Sequence, residues 1–382
     1  QDRSADHYGC GFVATLEPLS LRAMALNLIS SIDICWGTHM KKIGIGLLAL
    51  AALLGSASFA LFYTHAGQDF LFSQGAAQMA SVDIETFDGL EAMVCGSSSP
   101  LPSATRAQAC IMVRAGEQMF VVDVGSGSAS VLALNRVPLQ HLKGVLLTHF
   151  HSDHIADLWG VNLNSWVAGR PQPLLVIGPP GVDRVVSGAN IMYSQDHAYR
   201  VAHHGSDLLP PELGILRPKP IPLGLFFDYD GLAITAFPVD HSPIEPAYGY
   251  RFEYKGRSIV ITGDTIVTDE LAAVADGVDV LFTDALSQDL VEGIAGAADA
   301  MGMANRAQVL LDVLDYHAST ESLGELDDRI ELGQMILYHL VPPPLNGVTE
   351  QIFRRGLPSD AVISYDGMRV RLPADSEAIE IR

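Results

Sequence analysis

Four metal-competent side chains crowd the six residues His149-Phe150-His151-Ser152-Asp153-His154. They follow the apolar run Gly144-Val145-Leu146-Leu147, which has the composition of a buried strand. Three imidazoles and a carboxylate in so short a stretch exceed what one tetrahedral zinc takes from a single loop. The surplus implies two ions. In extended chain His149 and His151 point to the same side, while Asp153 and His154 open the next element and face a second ion.

Such a loop needs partners from other elements, and the chain offers them at the ends of further apolar runs. Gln118-Met119-Phe120-Val121-Val122 ends at Asp123, followed by glycines, where a carboxylate can hold a neighbouring loop. Ala233-Ile234-Thr235-Ala236-Phe237 leads to His241, Ser258-Ile259-Val260-Ile261 to Asp264, the strand 279–283 to Asp284, and Gln334-Met335-Ile336-Leu337-Tyr338 to His339. Strand ends of a layered α/β fold share one rim, where ligand sites form. Further strands are expected at Val82–Phe87, Ala92–Cys95, Cys110–Val113, Leu174–Ile177 and Gly249–Glu253, with helices at 268–275 and from Arg306 to Tyr316. The second helix runs up to His317-Ala318-Ser319-Thr320-Glu321, where Thr320 is placed to cap the next helix and Glu321 suits its positive end. Residues 182–225 lack strand alternation and carry His197, His203 and His204 among prolines. They read as a helical insertion or lid whose histidines are outside the ligand set.

Length and composition narrow the functional classes. At 382 residues the chain fits one large layered unit. Its formal charge is −21. Residues 1–66 hold four acids (Asp2, Asp6, Glu17, Asp33) and four bases (Arg3, Arg22, Lys41, Lys42), so the remainder also carries −21. That surface repels polyphosphate, and no Lys/Arg run interrupts it, so a nucleic-acid partner is not expected. Met40-Lys41-Lys42 followed by the nearly uncharged segment 43–62 reads as a signal peptide or membrane anchor over 40–66, with 1–39 a non-native or disordered extension. The body, 80–382, is then expected in the periplasm or secreted, free or anchored through 43–62. There Cys95 and Cys110 either bridge or remain buried thiols on neighbouring strands.

These residues resemble the metallo-β-lactamase superfamily over roughly Val82 to Pro344. The resemblance implies an αββα sandwich with a dinuclear zinc site on the rim of its two sheets. By the same likeness His149, His151 and His241 with Asp264 hold the first zinc. Asp153, His154 and His339 hold the second, Asp264 bridges the two, and Asp123 supports the histidine loop from behind. Within the superfamily, His241 with Ala247-Tyr248-Gly249-Tyr250-Arg251, the Gly263-Asp264-Thr265 turn, His317-Ala318-Ser319-Thr320 and Leu337-Tyr338-His339 are similar to the tRNA 3′-processing ribonucleases (RNase Z) and related arylsulfatases. Two departures stand out. Thr283-Asp284-Ala285-Leu286 replaces a His-Glu-Ala-Thr segment, and only about twenty residues separate His241 from Asp264, where bacterial ribonucleases of this type insert their tRNA-gripping arm.

With the export signal and the acidic surface, these departures favour an exported zinc-dependent hydrolase of a small sulfate or phosphate ester. In that reading a hydroxide shared by the ions attacks, Asp153 belongs to the catalytic set, and His317, oriented by Asp284, protonates the leaving oxygen. The alternatives are an RNase Z-like endonuclease, or a lactonase, lactamase or thioesterase of the same superfamily. A vestigial metal-binding scaffold is a more distant reading, and a homodimer is expected from the relatives of such enzymes.

Overall fold

Each apolar run read as a strand from Ala92 onward lies in a sheet. The computed structural model describes residues 38–80 and 87–382. The chain divides into two units, Gln1–Ser81 and Val82–Arg382. The first contains helices Thr38–Tyr63 and His65–Ala80. Its segment Lys42–Tyr63, 22 residues with a mean hydropathy of 2.2, is long and apolar enough to cross a membrane. The extension expected over 1–39 lies, as far as residue 37, outside the described residues, as does all but Phe87 of the strand expected at Val82–Phe87.

Among its described residues the second unit has fifteen strands: β1 (Gly89–Gly96), β2 (Cys110–Ala115), β3 (Gln118–Val122), β4 (Leu142–Leu146), β5 (Leu175–Gly178), β6 (Arg217–Pro220), β7 (Gly224–Tyr229), β8 (Leu232–Pro238), β9 (Tyr248–Tyr254), β10 (Arg257–Ile261), β11 (Val278–Leu286), β12 (Leu332–Val341), β13 (Val362–Ile363), β14 (Arg369–Pro373) and β15 (Glu380–Ile381). One sheet runs β15-β14-β1-β2-β3-β4-β5-β6 and the other β13-β12-β11-β10-β9-β8-β7. Strands β1 and β3 are buried along their whole length because both faces of the first sheet are covered. Between the sheets pack Val94, Ile111, Phe120, Leu146, Tyr250, Ile261, Phe282 and Tyr338. A second layer seals the outer face of the first sheet with helices Ser128–Leu134, Leu158–Val167 and Val182–Met192. A third packs Asp269–Ala275, Thr320–Asp327 and Gly347–Phe353 on the second sheet. This is the expected αββα sandwich.

Strands β3 to β6 are mutually parallel, and so are β10 to β13. Their carboxyl ends therefore bring the loops after β3, β4 and β10 and the end of β12 to one rim. Two glycines let those loops close on one another. A Cβ on Gly263, whose φ is +67°, would stand 2.8 Å from the Thr148 Cβ, and one on Gly125 would stand 2.1 Å from the Asp153 carbonyl oxygen. Cys95 and Cys110, left open by the sequence, form a disulfide that ties β1 to β2.

The 182–225 region is only partly the insertion expected. Helices Val182–Met192 and Ser194–His204 fill its first half, but its last residues make β6 and open β7. The sequence Arg217-Pro218-Lys219-Pro220 hides a strand because proline is confined to edges, and β6 is an edge. Two smaller expectations also shift. The helix expected at Arg306–Tyr316 is Ala304–Asp312 with a short 3₁₀ turn after it, and Ser319, not Thr320, caps the next helix by accepting the Ser322 amide at 3.0 Å.

Candidate metal centre

The loop after β4 turns at once into the short helix Ser152–Ile155, so His149 and His151 leave it on one side and Asp153 and His154 on the other. Asp123, held at φ +55° past β3, anchors that turn. Its Oδ1 accepts the Thr148 amide at 2.8 Å, and its Oδ2 accepts the Thr148 hydroxyl and His154 Nδ1, each at 2.8 Å. His154 is thereby fixed with its Nε2 facing away from Asp123. From the other sheet, His241 offers Nδ1 to the Tyr316 carbonyl at 2.9 Å, which leaves its Nε2 3.4 Å from His151 Nδ1. His339 lies within β12 rather than past it, with φ +45°, a conformation that non-glycine residues keep only where the surroundings enforce it.

All seven expected ligands converge. One group comprises His149, His151, His241 and Asp264, a second Asp153, His154, Asp264 and His339, and a third, overlapping them, Asp264, Asp284, His317 and His339; within each group the ligand atoms lie within 4.8 Å of one another. Asp264 Oδ2 joins the first two: it stands 3.9 Å from His149 Nε2 and 3.8 Å from His241 Nε2 on one side, and 3.3 Å from the Nε2 of both His154 and His339 on the other. Asp153 Oδ2 completes the second group, 3.0 Å from His339 Nε2 and 3.5 Å from His154 Nε2.

The residues fit a pair of cations on physical grounds. Buried polar atoms ordinarily find hydrogen-bond partners. Here His149 Nε2, His154 Nε2 and Asp264 Oδ1 are buried without one. Their neighbours are near but misaligned, an arrangement suited to a shared ion in the middle. The protonation pattern is divided in the same way. Burial holds His149 well below its ordinary value and takes His241 down to about 4, so both are neutral imidazoles ready to donate a lone pair. Burial opposes protonation of His154 and His339 as well, but the carboxylates of Asp264, Asp123 and Asp153 around them win and hold both above the ordinary value. The carboxyls of Asp153 and Asp264, despite burial, are held well below the usual range by His154 and His339. A divalent cation would replace these protons as the positive partner.

His317 sits beside this cluster. Its Nδ1 is 2.8 Å from Asp284 Oδ2, which also accepts the Ala318 amide, and its ring stacks on His339 with centroids 5.2 Å apart. Asp284 lies inside β11, at a register shift against β12. Burial raises its carboxyl above the ordinary value.

A cavity of about 320 Å³ opens over the rim, and its floor contains His151, Asp153, Asp264 and His317. Its wall, which sequence reasoning missed, is Leu101, Val309, Leu310, Val313 and Tyr316. The spacing of 309, 310, 313 and 316 was the available signal: a helical apolar stripe in which Val309 is exposed rather than packed. No residue of 182–225 lines this cavity, so the lid expected there does not cover it. His197 instead stacks on Trp166 with centroids 5.0 Å apart and bonds the Pro211 carbonyl, and His203 and His204 are exposed.

A family model described as a β-lactamase superfamily domain matches residues 120–340. Ribonuclease Z of Mycobacterium bovis (strain BCG / Pasteur 1173P2) is 37% identical over 265 residues, which cover 69% of this chain and 90% of that protein. Among solved structures, the metallo-β-lactamase fold protein YhfI from Bacillus subtilis superposes with a TM-score of 0.54 at 18% identity, covering 74% of this chain and 99% of that one. Human tRNase Z, short form, gives 0.53 at 18% identity with the same coverage. The expectation of a metal-dependent hydrolase of ester bonds stands. The narrower expectation of an exported sulfatase-like hydrolase, acting on a small ester and avoiding nucleic acid, is overturned by relatives named Ribonuclease Z at this identity. Its grounds were weak: a net charge is an average over the whole surface, and a missing arm is one local feature against likeness along most of the relative's length. By the family match and by the fold, the chain belongs to the metallo-β-lactamase superfamily.

Proposed function

We propose that this chain is a zinc-dependent endoribonuclease of the RNase Z type, acting on the 3′ side of tRNA precursors. The observation that carries the reading is the 37% identity to a protein named Ribonuclease Z across 90% of that protein's length. The paired ligand groups sharing Asp264 support the chemistry. His149, His151, His241 and Asp264 would hold one zinc, and Asp153, His154, His339 and Asp264 the other. When bound, the pair supplies a water of lowered pKa and neutralises charge on the scissile phosphate.

The chain's own residues supply the rest. Asp123 and the Tyr316 carbonyl hold the tautomers of His154 and His241, so that each presents Nε2. Asp284 keeps a proton on His317 Nδ1 and orients the ring, whose other nitrogen donates to the leaving oxygen. The apolar wall from Leu101 to Tyr316 excludes bulk water from one side of the reacting phosphate.

The test is a cleavage assay with a tRNA precursor carrying a 3′ trailer. The zinc-loaded protein is expected to cut it once at the trailer junction, and Asp264→Ala to abolish cutting. An intact precursor in the presence of rapid hydrolysis of small aryl esters would overturn the reading. We also propose that Lys42–Tyr63 anchors the chain at a membrane, on the strength of its length and apolarity. Recovery of the full-length chain in the soluble fraction after cell lysis would refute that.

A further inference from the structure

The acidic average conceals a basic cavity at the opposite end of the sandwich. About 450 Å³ in volume, it opens between the edge strands β6 and β7. Lys143, Arg170, Arg217, Lys219 and His141 line it, and no carboxylate does. In a chain with 44 acids and 23 Lys/Arg, that exclusion is the opposite of what the composition would give by chance. Lys143, Arg170, Arg217 and Lys219 also make no ion pair among the described residues, whereas arginines elsewhere, such as Arg114, Arg251, Arg257 and Arg354, do.

The register explains the convergence. Arg217 and Lys219 pair with Leu175 and Ile177 of β5 and so share their face, and Ile177 belongs to the core between the sheets. Both cations therefore point into the gap at the sandwich edge. Arg170 is built in from the side: buried, it donates to Ser165 Oγ, Asn162 Oδ1 and the carbonyls of Leu213 and Gln172, all of them neutral acceptors. Its charge is thus held without a counter-ion. Phe120 and Phe227 meet edge-to-face at 5.1 Å on the floor, and Tyr229, 64% exposed, leaves a ring at the mouth.

Prolines and inward charges on an edge strand guard against edge pairing. That accounts for Pro218, Pro220 and one lysine. It does not require β4 and the loop after Trp166 to bring Lys143 and Arg170 to the same cavity. We propose that this cavity binds a nucleotide phosphate, with the phosphate against Arg217, Lys219 and Lys143 and the base against Tyr229 and Phe227. The ligand is either a free mononucleotide or one nucleotide of an RNA strand. Gln118, Lys143, Leu175 and Arg217 lie at or beside the amino ends of β3 to β6, and the metal ligands lie at or past carboxyl ends. A five-residue strand such as β4 separates the two by about 17 Å at roughly 3.3 Å per residue. The cavity is a separate site, and the inference does not rest on the ribonuclease reading.

The test compares zinc-loaded wild type with Arg217→Gln/Lys219→Gln, both positions being exposed and remote from the metal ligands. Binding of AMP is read by calorimetry and of a fluorescein-labelled 12-nucleotide single-stranded RNA by anisotropy. The double variant is expected to weaken AMP by roughly tenfold or more, as loss of charge-assisted bonds does, while hydrolysis of bis(4-nitrophenyl) phosphate is unchanged. Tyr229→Ala should weaken AMP and leave inorganic phosphate alone. If the 12-mer binds more tightly than AMP and the double variant lowers its salt slope by about 1.4, the source is RNA; if AMP binds and the 12-mer does not, it is a free nucleotide. Equal binding by wild type and the double variant, or none by wild type, overturns the site, and phosphate binding as tightly as AMP overturns the base contact.

Discussion

Replacing Asp123 separates its two jobs, stabilising the histidine loop and fixing the His154 tautomer. In Asp123→Ala three buried donors lose their acceptor: the Thr148 amide, the Thr148 hydroxyl and His154 Nδ1. The hydroxyl can turn to His149 Nδ1, 3.1 Å away, only if that ring shifts its proton to Nε2, so at least two donors are stranded. At about 1–3 kcal/mol for each unsatisfied buried group, the loss is about 2–6 kcal/mol, a large share of the roughly 5–15 kcal/mol that holds a domain together. Asp123→Asn behaves differently. Its carbonyl oxygen still accepts the Thr148 amide, but its NH₂ faces His154 Nδ1 and forces the ring proton onto Nε2, the nitrogen that should meet the ion. We therefore expect Asp123→Asn to unfold within about 2 kcal/mol of wild type in chelator yet bind zinc about 10–100-fold more weakly, the range found when a ligand's supporting carboxylate is lost. Urea unfolding in EDTA gives the first number and competition with a chromophoric chelator the second. Wild-type zinc affinity in Asp123→Asn would refute the tautomer argument, and wild-type stability in Asp123→Ala would refute the hydrogen-bond reckoning.

His317→Ala should leave zinc content unchanged while slowing precursor cleavage by about 10²–10⁴-fold, and full activity would remove the proton-donor role. In chelator the folded protein should be most stable near pH 6.5, the ordinary histidine value. Toward pH 4 the unfolded chain takes up protons that folded His149 and His241 refuse, and above 6.5 the unfolded chain sheds protons that folded His154 and His339 keep, so stability falls on both sides. Urea midpoints that rise steadily from pH 4 to 9 would contradict this. Cys95→Ala/Cys110→Ala, which opens a loop of 15 residues, should cost about 3 kcal/mol, read as a urea midpoint below that of oxidised wild type, a difference that vanishes when wild type is kept under reductant. A change of less than about 1 kcal/mol would show that the bridge constrains little.

Much of the metal centre was legible before any coordinates because its ligands follow apolar runs, and a parallel sheet gathers such ends. The His149–His154 loop, His241 and Asp264 fall in that class. His339 and Asp284 were located by the same rule although both sit inside their strands, where the register shift between β11 and β12 turns them to the rim. What stayed hidden depends on contacts between distant segments. Strand β6 reads as a proline-rich turn until an edge position makes those prolines harmless. The cavity wall at Val309 to Tyr316 looks like any amphipathic stripe, since the sequence does not say which apolar face is left uncovered. Lys143 and Lys219, the first and last of the four cations, lie 76 positions apart, so no local run marks the basic cavity, and net charge points the other way.

The double duty of Asp264 has a consequence for loading. Both candidate ligand groups close on the same oxygen, so under the proposed assignment the first ion to arrive would settle the carboxylate's rotamer for the other group. The second would then meet a prearranged half-nest. If the proposed two-zinc assignment holds, occupancy should accordingly pass from none to two with few singly filled molecules between, and limiting zinc would leave a mixture of empty and doubly loaded protein in place of a uniformly half-loaded one.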